Sequence, residues 1–165
     1  MREPMHRGFL PIALAAGLTL GAAPPSGSAV MECRLSYNQA LAALARLPVL
    51  SRETIPGEDE YRHTRKFDPA RIAAFGFRAR ASKAMKIDGI SHESVAITTT
   101  LNAPYAAVRA AALASRGKRV CANTDGPSGE CNFEQRIEDG WTIDFLVDDL
   151  NGQSVLTCLY SRPSA

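Results

Sequence analysis

The sequence predicts an α+β domain: an antiparallel sheet of about six strands with two helices on one face, disulfide-stapled, in the order α-β-β-α-β-β-β-β. Three observations carry that expectation. Long stretches alternate apolar and polar residues, two shorter ones space their apolar residues at helical intervals, and four cysteines follow an N-terminal leader.

The leader comes first. Arg2 and Arg7, the apolar run Phe9 to Ala23 and the small residues Gly27-Ser28-Ala29 have the three parts of a secretory signal peptide, 1–29, with cleavage expected after Ala29. Its apolar middle is shorter than the ~20 residues a membrane span requires, and no later run is longer. Residues 30–165 then form one domain, expected in the periplasm or outside the cell. Glu32 before Cys33 argues against a lipid anchor, which needs a small residue there. The chain carries 19 Lys and Arg against 17 Asp and Glu. Removing a leader that holds Arg2, Arg7 and Glu3 brings it closer still to neutrality. That balance argues against a general nucleic-acid or anionic-membrane binder, which normally shows a basic excess on one face.

Ser36-Tyr37-Asn38-Gln39 matches a capping box, and Tyr37, Ala40, Leu41, Leu44 and Leu47 repeat at helical spacing up to Pro48. A helix with one buried face is expected. Residues 51–70 are dense in charge, with Glu53, Glu58, Asp59 and Glu60 before Arg62, His63, Arg65 and Lys66, and read as an exposed polar connection. Phe75, Phe77, Ala79 and Ala81 then alternate with Arg78, Arg80 and Ser82, which predicts a half-buried strand. Asp88-Gly89 supplies its hairpin turn, and Val95, Ile97, Thr99 and Leu101 form the inward side of the next strand. Asn102 and Pro104 open a second, alanine-rich helix that Gly117 ends. The remainder reads as a meander over 119–122, 130–137, 141–148 and 154–160, turning at Asp139-Gly140 and Asn151-Gly152. Trp141, Ile143, Phe145 and Val147 make its clearest inward face, with Trp141 as the core anchor.

An even number of cysteines in an oxidising compartment favours disulfides. The turn-forming residues between Cys121 and Cys131 favour that pair, which leaves Cys33 with Cys158. The second bridge closes a loop of more than a hundred residues, a constraint worth about 4–5 kcal/mol in the chain-entropy view.

The chemistry is sparse. Ser91-His92-Glu93-Ser94 brings serine, imidazole and carboxylate together in sequence, but neighbours on an extended chain point to opposite faces. Asp144, Asp148 and Asp149 lack the spacing of a calcium loop, and the remaining signatures of phosphate, dinucleotide or zinc sites are missing. No catalytic residue, metal site or cofactor is assigned. The best binding candidates are Arg78, Arg80 and Lys86, read as a cationic stripe on the solvent side of one strand and suited to an acidic partner or anionic headgroup. The expected function is that of a non-catalytic exported binding or accessory protein of the bacterial envelope, acting on an envelope protein or a small ligand. The alternatives are a small secreted hydrolase using His63 or His92 with an acidic partner, and a small-ligand carrier with a pocket between helices and sheet.

Overall fold

Apolar alternation builds the centre of the sheet. In the computed structural model, which describes residues 27–116 and 131–164, Trp141, Ile143, Phe145 and Val147 are buried, while Thr142, Asp144, Leu146 and Asp148 lie half-buried on the opposite face. The α+β class is as expected; the count and order of elements are not, since two helices and five strands precede the alanine-rich helix. Among the described residues eight strands form: β1 (Val49–Pro56), β2 (Glu60–Phe67), β3 (Ala73–Ala74), β4 (Phe77–Gly89), β5 (His92–Leu101), β6 (Cys131–Glu138), β7 (Trp141–Leu150) and β8 (Gln153–Pro163). The helices are α1 (Gly27–Met31), α2 (Tyr37–Leu44) and α3 (Tyr105–Arg116), with a short 3-10 turn at Pro69–Arg71. The expected strand over 119–122 and the Cys121–Cys131 pairing fall outside the described residues.

The strands run in the order β1-β2-β4-β5-β8-β7-β6, with β3 against the start of β4. Two antiparallel meanders, β1 to β5 and β6 to β8, are thus joined edge to edge by β5 and β8, whose ladder runs from His92↔Pro163 to Leu101↔Ser154. These two central strands carry much of the core. Val95, Ile97, Leu101, Leu156, Cys158 and Tyr160 face one cluster with Val30 and Met31 of α1, Ala40, Ala43 and Leu44 of α2, and Val108 and Ala112 of α3. The small residues of α2 and α3 let the helices lie close on the sheet. The opposite face has no covering layer among the described residues.

Three local expectations change. Residues 51–70 are mostly a hairpin, β1–β2, whose turn closes with Gly57 N–H on the Glu60 carbonyl at 2.7 Å. It carries the sheet past the helices, so almost every side chain on both of its faces meets solvent and the usual apolar alternation is missing. In β4 the register shifts between Ala79 and Ala81, and this bulge reverses the inward parity. Ser82 is therefore buried and Ala81 exposed. The β4–β5 turn falls on Ile90-Ser91, while Asp88 and Gly89 pair with Tyr61 and Glu60 inside the ladder.

Several features match. Gln39 accepts from the Ser36 amide at 3.1 Å, the reach-back half of the capping box. Asp139-Gly140 and Asn151-Gly152 turn with φ of 52°, 77°, 54° and 80°, the left-handed pairs that two-residue hairpins need. Trp141 is buried, stacks on Tyr37 with centroids 3.6 Å apart, and carries the Arg162 guanidinium 4.4 Å from its centroid.

Cys33 and Cys158 form a disulfide with Cα atoms 5.3 Å apart, tying the segment after α1 to the centre of the sheet. Arg136 donates to the Cys33 and Leu35 carbonyls at 2.8 and 2.9 Å, Arg116 donates to the Glu32 carbonyl and pairs with Glu134, and the Tyr160 hydroxyl donates to Leu35 O at 3.0 Å. The α1–α2 junction is thus held by donors from β6, β8 and α3. The expected cut after Ala29 falls within α1, where the Ser28 and Ala29 carbonyls accept from Glu32 and Arg34.

Candidate functional site

The open face is hollow at the end where β4 bulges. Leu50 at the start of β1 and Leu150 at the end of β7 line the same concavity of about 500 Å³, although four strands lie between them in the sheet order. Lys66, Lys83 and Arg80 line it with Thr98, Thr100 and Val155. The ladder explains why they meet. Lys66 pairs with Lys83, which pairs with Thr98, and these residues alternate with Phe67, Ser82 and Thr99 on the buried side. The bulge swings Arg80 to the same rim.

Two properties mark this hollow. Among the described residues, no ion pair engages Lys66, Arg80 or Lys83, whereas Arg34, Arg62, Lys86, Arg116, Arg136 and Arg162 all have carboxylate partners. Leu50 and Leu150 are 67% and 61% exposed, among the most exposed large apolar side chains described. Like charges directly across a ladder are unfavourable, and so are apolar side chains left in water. Both are relieved by an occupant that is anionic at one end and apolar at the other.

The helix-covered face has its own opening, a cleft of about 410 Å³ between α2 and the β1–β2 extension. Leu41 was expected in the core; it is 38% exposed and forms one wall of this cleft. A polar chain runs along the sheet side. Thr54 Oγ1 lies 3.0 Å from His63 Nδ1, His63 Nε2 3.7 Å from Asp88, and Lys86 Nζ 2.8 Å from Asp88 and 3.4 Å from Glu93. Glu93 also accepts from the Tyr37 hydroxyl at 3.1 Å and from Arg162 at 2.9 Å. Burial works to raise the Glu93 carboxyl pKa, but hydrogen bonds from Arg162 and Tyr37 and the charge of Lys86 together outweigh it and hold the group below the usual carboxylate range. The hydrogen bond to Asp88 raises the Lys86 ammonium pKa, against a smaller opposing effect of burial. Burial, then the Glu93 charge, raises the Tyr37 phenol.

The cationic stripe read from the sequence is split by the bulge. Arg78 lies in the β3–β4 hairpin opposite Ala73, Arg80 enters the open-face hollow, and Lys86 points into the cleft on the other face, where Asp88 and Glu93 hold it. Lys66 reads in sequence only as part of the charged 51–70 stretch, and Lys83 belongs to no motif. Only the cross-strand pairing brings them together, and neither has a local signal. His92 is exposed and contacts its neighbour Ser91 at 3.4 Å, while Glu93 and Ser94 face opposite sides, so the Ser91–Ser94 run does not converge. Asp149 accepts from the Gly152 amide and Asp144 from the Gln135 side chain, as turn and ladder residues do. Among the described residues, no group of three or more metal-binding side chains occurs. Comparison with family models, curated proteins and solved structures finds no match to this chain.

Proposed function

We propose that this chain is an exported, non-catalytic binding protein whose open-face hollow takes an amphipathic anion, such as a carboxylate or phosphate on an alkyl chain. The observation that carries the reading is the meeting of Lys66, Lys83 and Arg80, without ion pairs among the described residues, with the exposed Leu50 and Leu150 in one concavity. A volume of about 500 Å³ suits a small ligand. Export is supported by the leader pattern and by the Cys33–Cys158 bridge, since disulfides persist in oxidising compartments. The envelope is the compartment proposed.

The test is titration calorimetry with dodecanoate and dodecyl phosphate. Binding is expected in the micromolar range for at least one of them. Lys83→Gln and Leu150→Asp should each weaken it about tenfold, as the loss of a charge-assisted contact or a buried apolar one implies. No binding of either probe, or binding unchanged in both variants, would overturn the reading.

A second reading rests on the Thr54–His63–Asp88 arrangement, in which an imidazole sits between a hydroxyl and a carboxylate. A secreted hydrolase built on it would show ester turnover that His63→Ala abolishes.

A further inference from the structure

Arg52 and Arg65 occupy directly opposite positions on β1 and β2. The next rung on the same side of the ladder is Thr54 and His63, whose contact with Asp88 turns this side toward the cleft beside α2. Both arginines line that cleft, and neither makes an ion pair among the described residues. The carboxylates nearby are already committed or face elsewhere. Asp88 is held by Lys86 and Glu93 by Arg162 and Tyr37; Glu53 also borders the cleft, but it pairs with Thr64 on the alternate parity of the hairpin and makes no ion pair with either arginine among the described residues. Two guanidinium groups facing across one ladder repel each other, and the hairpin that carries them gains little from burial. The arrangement is an unfavourable one for the empty protein, and it becomes favourable once an oxyanion lies between the two forks.

The opposite wall is apolar. Leu41, partly exposed, and Leu44 of α2 face the arginines across a space of about 410 Å³ floored by Phe67, Ala84 and Val95. We propose that this cleft is a second binding site, in which Arg52 and Arg65 clamp the oxyanion of an organic phosphate or carboxylate whose apolar body lies against Leu41 and Leu44. The site is independent of the open-face hollow, because it uses the other side of the same strands.

The experiment is titration calorimetry of the full chain with phenyl phosphate, benzoate and inorganic phosphate, on the wild type and on Arg52→Gln, Arg65→Gln and Lys83→Gln. Phenyl phosphate or benzoate should bind the wild type more tightly than inorganic phosphate does, and the better of the two tells which oxyanion the forks prefer. Either arginine substitution should weaken the binding component assigned to the cleft about tenfold or more, and Lys83→Gln, which acts on the open-face hollow, should leave that component in place. Thermal melting at low salt without any anion supplies a second readout. Arg65→Gln should raise the midpoint by about 1–4 °C, because it removes the repulsion, which also shows that the variant folds. Affinity unchanged in both arginine variants would overturn the proposal. So would an equal loss in Lys83→Gln, or the absence of binding by all three probes at millimolar concentration.

Discussion

Tyr160 shows how a single residue couples the core to solution conditions. It is fully buried on β8, its hydroxyl donates to Leu35 O, and its ring meets Tyr37 edge-on with centroids 6.0 Å apart. Burial pushes its pKa up to about 12 from 10.0, because the phenolate would sit in a low-dielectric interior. The folded state therefore favours the neutral form. Its stabilising contribution is complete below pH 10 and is lost as pH rises from 10 through 12, in all about 2–3 kcal/mol. Tyr160→Phe should flatten most of that alkaline decline in urea midpoints measured from pH 8 to 12, leaving a residue from Tyr37. It should destabilise by about 1 kcal/mol at pH 7 through the lost hydrogen bond. Glu93 acts at the other end of the scale. Its depressed folded pKa contributes stability that is present above the ordinary carboxylate pKa and lost as pH falls through the folded value. The anchoring role of Trp141 was legible in its alternating neighbours; its stacking partner Tyr37 was not, because 104 positions separate them and only the fold brings helix and strand together.

At the scale of elements, turns divide into those that announce themselves and those that do not. Asp139-Gly140 and Asn151-Gly152 have the residue types that left-handed turns select. Phe75-Gly76 adopts the same geometry, with φ of 51° and 83°, and closes the β3–β4 hairpin, yet Phe75 reads in sequence as one more alternating strand residue. Its conformation is set from elsewhere: the Glu32 carboxylate accepts the Phe75 amide at 2.8 Å and the ring approaches Phe145, with centroids 6.0 Å apart. Gly76 is the permissive partner in that turn. A methyl group there would meet no atom within 4 Å, so Gly76→Ala tests backbone conformation alone. It should destabilise by about 1–2 kcal/mol, measured as a lowered urea midpoint with an unchanged slope. The β1–β2 hairpin escaped sequence reasoning for the converse reason. Its strands extend past the helices, so neither face is selected for apolar residues, and period-two patterning has nothing to record.

For the whole molecule, the decisive join is between the two meanders at β5 and β8, with the Cys33–Cys158 bridge fixed to the same central strand. The bridge spans 125 positions. Reduction should lower stability by about 4–5 kcal/mol if the chain-entropy account holds, and the matching measurement is the urea midpoint with and without a phosphine reductant. A much smaller change would mean that the arginine and tyrosine donors around Leu35 already hold the α1–α2 junction to the sheet. The sequence by itself determined the α+β class, the helix beginning at Ser36, the inward faces of β5 and β7 and two of the turns, and it favoured the pairing of Cys33 with Cys158. Each is written in short-range periodicity, in turn chemistry or in the count of cysteines. Only the tertiary structure decided the strand order, the bulge at Arg80 and the composition of both candidate sites. One added residue in β4 reverses which side chains share a face, and cross-strand neighbours such as Arg52 and Arg65, or Lys66 and Lys83, meet through register. Register is a relation between distant segments, and no local pattern encodes it.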